Sequence, residues 1–356
     1  MPPRLTDPWM LGPLEVPNRV LLAPLAGIGN WFVRLQAKRY GAGMAVSEMV
    51  SSHAIHHNNE RTCTELLRIH PDERTVGTGG VGGLVSIQLF GEDPAMMRSA
   101  AAHVARAGAD AIDINMGCPV PKVRKTGAGA ALLADHVRAV AVARATVEGA
   151  DGLPVTVKLR SGLRPGETSG FELAHRLVEE AGVAAIAFHP RSAAVQHKGA
   201  PDYALVARLV ASLPAPVILT GGLSDSERVR EAFRETGAAA VMLARGALGN
   251  PWLFAELVGG REQGPTRAEV VAELDWTIDR AVEHLGEGRA TRYLRKFYPW
   301  YVVRLDLEKA EAKALGESLQ QVATLSQARE LLEPLVPSQP RYTAALAEAS
   351  GPRHPR

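Results

Sequence analysis

Eight short apolar runs, each followed by a longer amphipathic or irregular stretch, limit this 356-residue chain to very few folds. The runs are 19–23, 44–47, 84–88, 111–114, 155–158, 184–188, 217–219 and 240–243. Three to five residues drawn mainly from Val, Ile, Leu and Ala suit strands buried on both faces of a parallel sheet. Between them, 94–107, 135–148, 170–181, 202–212 and 226–236 are expected to be helices, several opened by Asp, Ser or Pro and closed by Gly. Eight such units in about 250 residues is the measure of an α/β fold of the (β/α)8 TIM-barrel kind, whose reactive groups gather after the strands. A doubly wound open sheet shares the alternation and competes with it. Beyond about residue 262 only helical patterns continue. The expected organisation is therefore a barrel domain over 14–261, an all-helical domain over 262–335 and a flexible tail over 336–356. The glycine-rich stretch 75–83 is expected to be a flexible connection without chemistry.

With 40 basic residues against 38 acidic ones, any nucleic-acid surface must be local. Cys63 and Cys118 are the two cysteines, and neither a CxxC nor a Cys/His ligand spacing accompanies them. No metal site and no disulfide framework are expected, and a reducing cytoplasm is the simplest setting. The first eight residues lack an apolar leader and no run approaches a membrane span, so no membrane partner is expected.

The residues at or just after each run are Pro24-Leu25-Ala26, Glu48, Gln88, Asn115 with Cys118, Lys158 with Arg160, His189 with Arg191, Thr220-Gly221-Gly222 and Ala244-Arg245-Gly246. In a barrel these eight ends form one rim. Glycine turns after the last two strands suit a phosphate, because backbone N–H groups can approach it closely and Arg245 can add a charged contact. Neither a GxGxxG after a first strand nor a GxxxxGK[ST] is present. A phosphate-bearing cofactor with an extended ring would use Lys158 to stabilise negative charge and Gln88 to pair with its polar edge. Cys118 then serves as a general acid. Nucleophilic catalysis is the alternative; it needs a paired base, for which His189 is the candidate by strand order.

Several of these segments also carry a resemblance. Ala23-Pro24-Leu25-Ala26-Gly27, Ser47-Glu48-Met49-Val50, Gln88-Leu89-Phe90-Gly91, Asp113-Ile114-Asn115-Met116-Gly117-Cys118-Pro119 with Lys122-Val123 and Gly127-Ala128-Gly129, Val155 to Arg160, and Arg245 to Trp252 resemble the tRNA-dihydrouridine synthase family, nearest its bacterial B-type branch. The likeness runs from about residue 14 to about residue 304. It implies an enzyme that binds FMN and uses NADPH to reduce a uridine in tRNA, with hydride going to C6 and the Cys118 proton to C5. It places Pro24, Leu25, Ala26, Gln88, Lys158, His189, Thr220, Gly221, Gly222, Ala244 and Arg245 against the flavin, and Asn115 and Arg191 near the base. The target uridine would have to leave its stack. The chain differs from the family pattern at Leu25, Thr220 to Gly222, Pro190, His197 and Phe297.

In the helical region, Arg289 to Arg304 contains Arg289, Arg292, Arg295, Lys296 and Arg304 and no acidic residue, interleaved with Tyr293, Phe297, Tyr298, Trp300 and Tyr301. Such a strip suits RNA, with Arg292, Arg295 and Lys296 as candidate contacts. An amphipathic helix with its aromatics in a core gives the same pattern and is the stronger reading for an isolated stretch. The sequence therefore points to a monomeric tRNA uridine reductase. A flavin barrel acting on a small unsaturated substrate such as a free pyrimidine, and a tRNA-binding protein without turnover, remain as alternatives.

Overall fold

The computed structural model of the protein describes residues 2–76 and 83–336. Most of the glycine-rich connection, 77–82, and the tail from 337 lie outside the described residues. Eight parallel strands form the centre: β1 (Val20–Leu22), β2 (Met44–Val46), β3 (Leu84–Phe90), β4 (Ala111–Met116), β5 (Val155–Arg160), β6 (Ala185–His189), β7 (Val217–Thr220) and β8 (Ala240–Leu243). Each pairs with its neighbours in sequence, and β8 pairs with β1, which closes the sheet into a barrel and removes both edges. The open-sheet alternative is thereby set aside. A short strand, Val50–Ser51, extends the pairing at the upper end of β3.

Helices enter and leave as the local sequence dictates. Asp93, Asp135, Asp202 and Asp225 each accept a backbone N–H at a helix start, while Gly182 and Gly237 end helices in the left-handed conformation that a Cβ disfavours. An antiparallel hairpin, Trp9–Leu11 with Leu14–Val16, precedes β1. Trp9, Leu11 and Val16 belong to the same apolar cluster as Leu84, Ala111, Ala185 and Ala240 at the N-terminal ends of the strands, so the hairpin plugs that end. Its three-residue strands carry too short a pattern to be read in advance.

Side chains alternate along each strand, so every second residue faces the barrel interior. Ala111, Asp113 and Asn115 on β4 share one face, and the register aligns Asp113 with Gln88 on β3 and with Thr156 on β5. Asn115 is aligned with Lys158, and Arg160 with His189. The interior thus passes from apolar at the N-terminal end to polar at the C-terminal end. β3, β4, β5, β6 and β7 each run one or two residues beyond their expected ends, which places Asn115, Arg160 and His189 on strands and not in loops.

The chain divides into two compact units at Gly264/Pro265. The second contains the helices Arg267–Leu285, Glu287–Leu294, Tyr298–Val302, Lys309–Gln321 and Leu325–Leu332. Thr266 and Glu269 form a reciprocal cap at the first of them, and Thr324 with Gln327 does the same at the last. Phe297, Tyr298 and Tyr301 are buried, and Tyr301 shares a 3.0 Å hydrogen bond with Thr277. Most of the aromatics in the 289–304 strip are therefore core residues, whereas Arg292, Arg295 and Lys296 are exposed. Phe297 packs edge-on against Trp300. Among the described residues no helix is long and apolar enough to cross a membrane.

Candidate active site

Cys118 sits two residues past the end of β4, half-buried and free. Its loop is fixed by contacts that do not involve the sulfur. The Asn115 side-chain oxygen accepts the N–H groups of Gly117 (3.2 Å) and Cys118 (2.9 Å), and the Cys118 carbonyl accepts from Ala130 (3.0 Å). Gly129 has φ +62°, and a Cβ there would lie 2.9 Å from the Cys118 carbonyl, so glycine is needed for this close approach. Arg160, buried on β5, donates to the Gly117 carbonyl (2.9 Å) and to the carbonyls of Ser192 (3.1 Å) and Gln196 (2.7 Å). One guanidinium thus joins the cysteine loop to the loop that follows β6. Burial lowers it only to about 10, so it stays charged at neutral pH.

Lys158 stands beside this loop, half-buried, and makes no hydrogen bond or ion pair with any described residue. Burial, reinforced by Arg160, pushes its ammonium down to about 8, while Asp113 and Cys118 pull the other way. Gln88 is almost fully buried; its amide donates to Asp113 (2.6 Å) and accepts from Asn115 (2.9 Å). That leaves one N–H and one lone pair for a ligand. Asn115 is similarly occupied, with a further contact to the Met49 sulfur at 3.7 Å.

His189 is buried at the end of β6, and Arg191 Nη1 lies 3.3 Å from its Nε2. Arginine can only donate, so Nε2 is the acceptor and the ring proton is on Nδ1. Burial and the neighbouring cations Lys158, Arg160 and Arg191 lower its pKa far below the usual histidine range, so the ring stays neutral. No described base hydrogen-bonds to the Cys118 sulfur. The nucleophile reading thus lacks the paired base it requires.

Across the rim, Gly221 and Gly222 have φ +99° and +79°. A Cβ at Gly221 would meet the His189 ring at 2.3 Å, and one at Gly222 would meet Pro201 at 2.7 Å. Their N–H groups donate to no described residue, and Arg245 after β8 is exposed. Thr220 and Leu25 are buried, Pro24 and Ala244 half-buried, and Ala26 exposed. The site combines free backbone donors, an unpartnered ammonium and further cations, which is a donor set suited to an anionic ligand. Among the described residues no His, Cys, Asp or Glu cluster could hold a metal ion.

Residues 21–339 match the family described as dihydrouridine synthase (Dus). The chain belongs to the dihydrouridine synthase family. It is 33% identical over 331 residues to tRNA-dihydrouridine synthase B of Shewanella oneidensis, covering 91% of this chain and 97% of that protein. With tRNA-dihydrouridine synthase B of Pseudomonas aeruginosa it is 35% identical over 302 residues, covering 83% and 87%. Among solved structures, morphinone reductase superposes with a TM-score of 0.54 at 18% identity, covering 76% of this chain and 93% of that one. A 2-naphthoyl-CoA reductase gives 0.57 at 13%, covering 73% and 53%. These structural likenesses speak for the barrel fold, whereas the family match makes this dihydrouridine synthase a flavin-dependent oxidoreductase.

Sequence reasoning singled out Cys118, Lys158, His189 and Arg245 by their place after strands. Asp113, Thr156 and Ser47 stand in the same segments without a role that sequence assigns, and Arg160 without a structural task. The signal was available in part: Asp113 has the same parity as Asn115 on a strand otherwise apolar, as Thr156 has with Lys158.

Proposed function

We propose that the protein is a cytoplasmic, monomeric tRNA-dihydrouridine synthase that binds FMN, draws electrons from NADPH and saturates the C5–C6 bond of a tRNA uridine. The observation that carries this reading is the unpartnered Lys158 ammonium beside the anchored Cys118 loop, in a chain of this family. FMN fits the residues present: the Gly221 and Gly222 N–H groups and Arg245 would hold its phosphate, and Pro24, Leu25, Ala26, Thr220, Ala244 and His189 would line it. Bound there, it would supply the hydride that reaches C6. Lys158 would hold the negative charge that accompanies reduction of the ring.

The remaining work falls to the protein's own side chains. The Cys118 thiol gives its proton to C5 and is re-protonated from solvent, so hydride and proton together add two electrons and two hydrogens across the double bond. Asn115 and Arg191 would lie near the base, and Arg160 ties the cysteine loop to the loop that follows β6. A stacked base cannot reach this depth, so the uridine leaves its stack, at modest cost for a loop nucleotide. Arg292, Arg295 and Lys296 on the second unit would meet phosphates elsewhere on the tRNA.

Reoxidation of the NADPH-reduced enzyme tests the substrate. Mixed without oxygen with an unmodified tRNA transcript, it should regain flavin absorbance at least ~100-fold faster than with free uridine at equal concentration, because remote RNA contacts are spent on positioning the base. Equal rates would favour a small unsaturated substrate, and no reoxidation by either would favour a binding protein without turnover.

A further inference from the structure

Beneath the cysteine loop lies a carboxylate that touches neither proposed ligand. Asp113 is fully buried on β4, and its neighbours in register are Gln88 and Thr156. Both donate to it: Gln88 Nε2 to Oδ2 at 2.6 Å, and the Thr156 hydroxyl to Oδ1 at 2.5 Å. From Gln88 the chain of hydrogen bonds continues upward, with Asn115 Nδ2 donating to Gln88 Oε1 at 2.9 Å and Asn115 Oδ1 accepting from Gly117 and Cys118. The Gln88 backbone is held separately by the Ser47 hydroxyl at 3.0 Å.

A carboxylate can only accept, and this fixes the direction of every link. The N–H end of the Gln88 amide must face Asp113, so its oxygen faces Asn115. The Asn115 N–H end must then face Gln88, and its oxygen is left for the two loop N–H groups. Reversing either amide would set two donors or two acceptors against each other in a buried place. We propose that Asp113 is a positioning residue: through the orientations it imposes on Gln88 and Asn115, it sets the conformation of the loop that presents Cys118. Its importance for turnover rests on the reading of Cys118 as proton donor. Burial raises the Asp113 carboxyl to about 6, against the lowering influence of Thr156, Gln88 and Lys158, the charged group facing it from β5. At neutral pH it is therefore ionised and accepts on both sides.

The test compares Asp113→Ala with Asp113→Asn. Alanine removes the lowest link, and single-turnover dihydrouridine formation should fall by ~10- to 100-fold, the cost of a slightly misplaced reacting group. Affinity for a tRNA transcript should stay within about twofold, and reduction by NADPH of the bound flavin, which Gln88 would also border, should fall by much less than turnover does. The Gly117 and Cys118 amides should exchange faster with deuterated water. Asparagine can still accept from Gln88 while its N–H end donates to a rotated Thr156 hydroxyl, so turnover should return to within about threefold of the wild type. An Asp113→Asn variant as slow as Asp113→Ala would show that the charge matters and overturn the proposal. So would unchanged turnover in Asp113→Ala, or parallel loss of flavin reduction, tRNA affinity and turnover. Should Asp113→Ala not fold, Gln88→Met severs the same chain higher up, and unchanged Cys118 amide exchange in it would also overturn the proposal. Cys118→Ala, measured alongside, separates the two readings. Full turnover in that variant removes the proton-donor role, while the amide exchange still decides whether Asp113 orders the loop.

Discussion

Cys118→Ala should form dihydrouridine in a single turnover ~1,000-fold more slowly than the wild type, within the range that a well-placed general acid contributes. The loop does not depend on the sulfur: Asn115 holds its N–H groups, Arg160 holds the Gly117 carbonyl and Ala130 donates to the Cys118 carbonyl. Removing Sγ therefore takes away the proton without taking away the scaffold. Flavin content, reduction by NADPH and tRNA affinity should be unchanged, which confines the loss to the step in which the base is reduced. Cys118→Ser should be nearly as slow, because a hydroxyl of similar shape is a far weaker acid than a thiol. Stopped-flow absorbance of the flavin, with tRNA as oxidant, measures all three proteins. Turnover of Cys118→Ala within about threefold of wild type would remove the acid role.

Lys158→Met should slow flavin reduction by NADPH ~100-fold, the scale of losing one preorganised donor to a developing negative charge. Methionine keeps most of the side chain's length and apolar body, so packing against the strand is preserved. The pH dependence supplies the sign. With nothing bound, Lys158 loses its proton near pH 8. The charge offered to the flavin is thus present below pH 8 and fades above it. Wild-type affinity for FMN should weaken as pH rises from 8 towards 10, and the variant should lack that slope. Folding stability runs the opposite way: a lysine whose pKa falls from 10.5 to about 8 on folding penalises the folded chain below pH 8, and the penalty is relieved as pH rises towards 10.5. Titration of the apoprotein with FMN and denaturant melts of both proteins across this range separate the two effects. A pH-independent wild-type affinity would contradict the placement of Lys158.

Much of this arrangement was legible in the chain. The eight strands showed because buried parallel strands are continuous apolar runs, and the rim showed because polarity breaks in at their ends: Gln88, Asn115, Lys158, His189 and Arg245 all stand there. What was hidden depends on register between strands. Nothing local says that Asp113 lies beside Gln88 and Thr156; the three are separated by 25 and 43 residues and meet only once β3, β4 and β5 are aligned. Gln88 was expected to serve a ligand, yet most of its amide is engaged inside the protein. The strip at 289–304 illustrates the converse, since basic and aromatic residues interleaved in sequence separate in space, with Tyr298 and Tyr301 buried and Arg292 and Arg295 exposed. The N-terminal hairpin escaped notice because two three-residue strands carry no usable period.

The central claim is that one fixed thiol protonates the base, and therefore always from the same side. A single turnover of the reduced enzyme with tRNA in deuterated water labels both C5 and C6, since thiol and flavin hydrogens exchange with solvent. Nuclear magnetic resonance of the released dihydrouridine then reads the relative faces. The account predicts one product, with a single arrangement of the two deuterium atoms. A mixture of both arrangements at C5 would mean that solvent, and not Cys118, delivers the proton, and would contradict it.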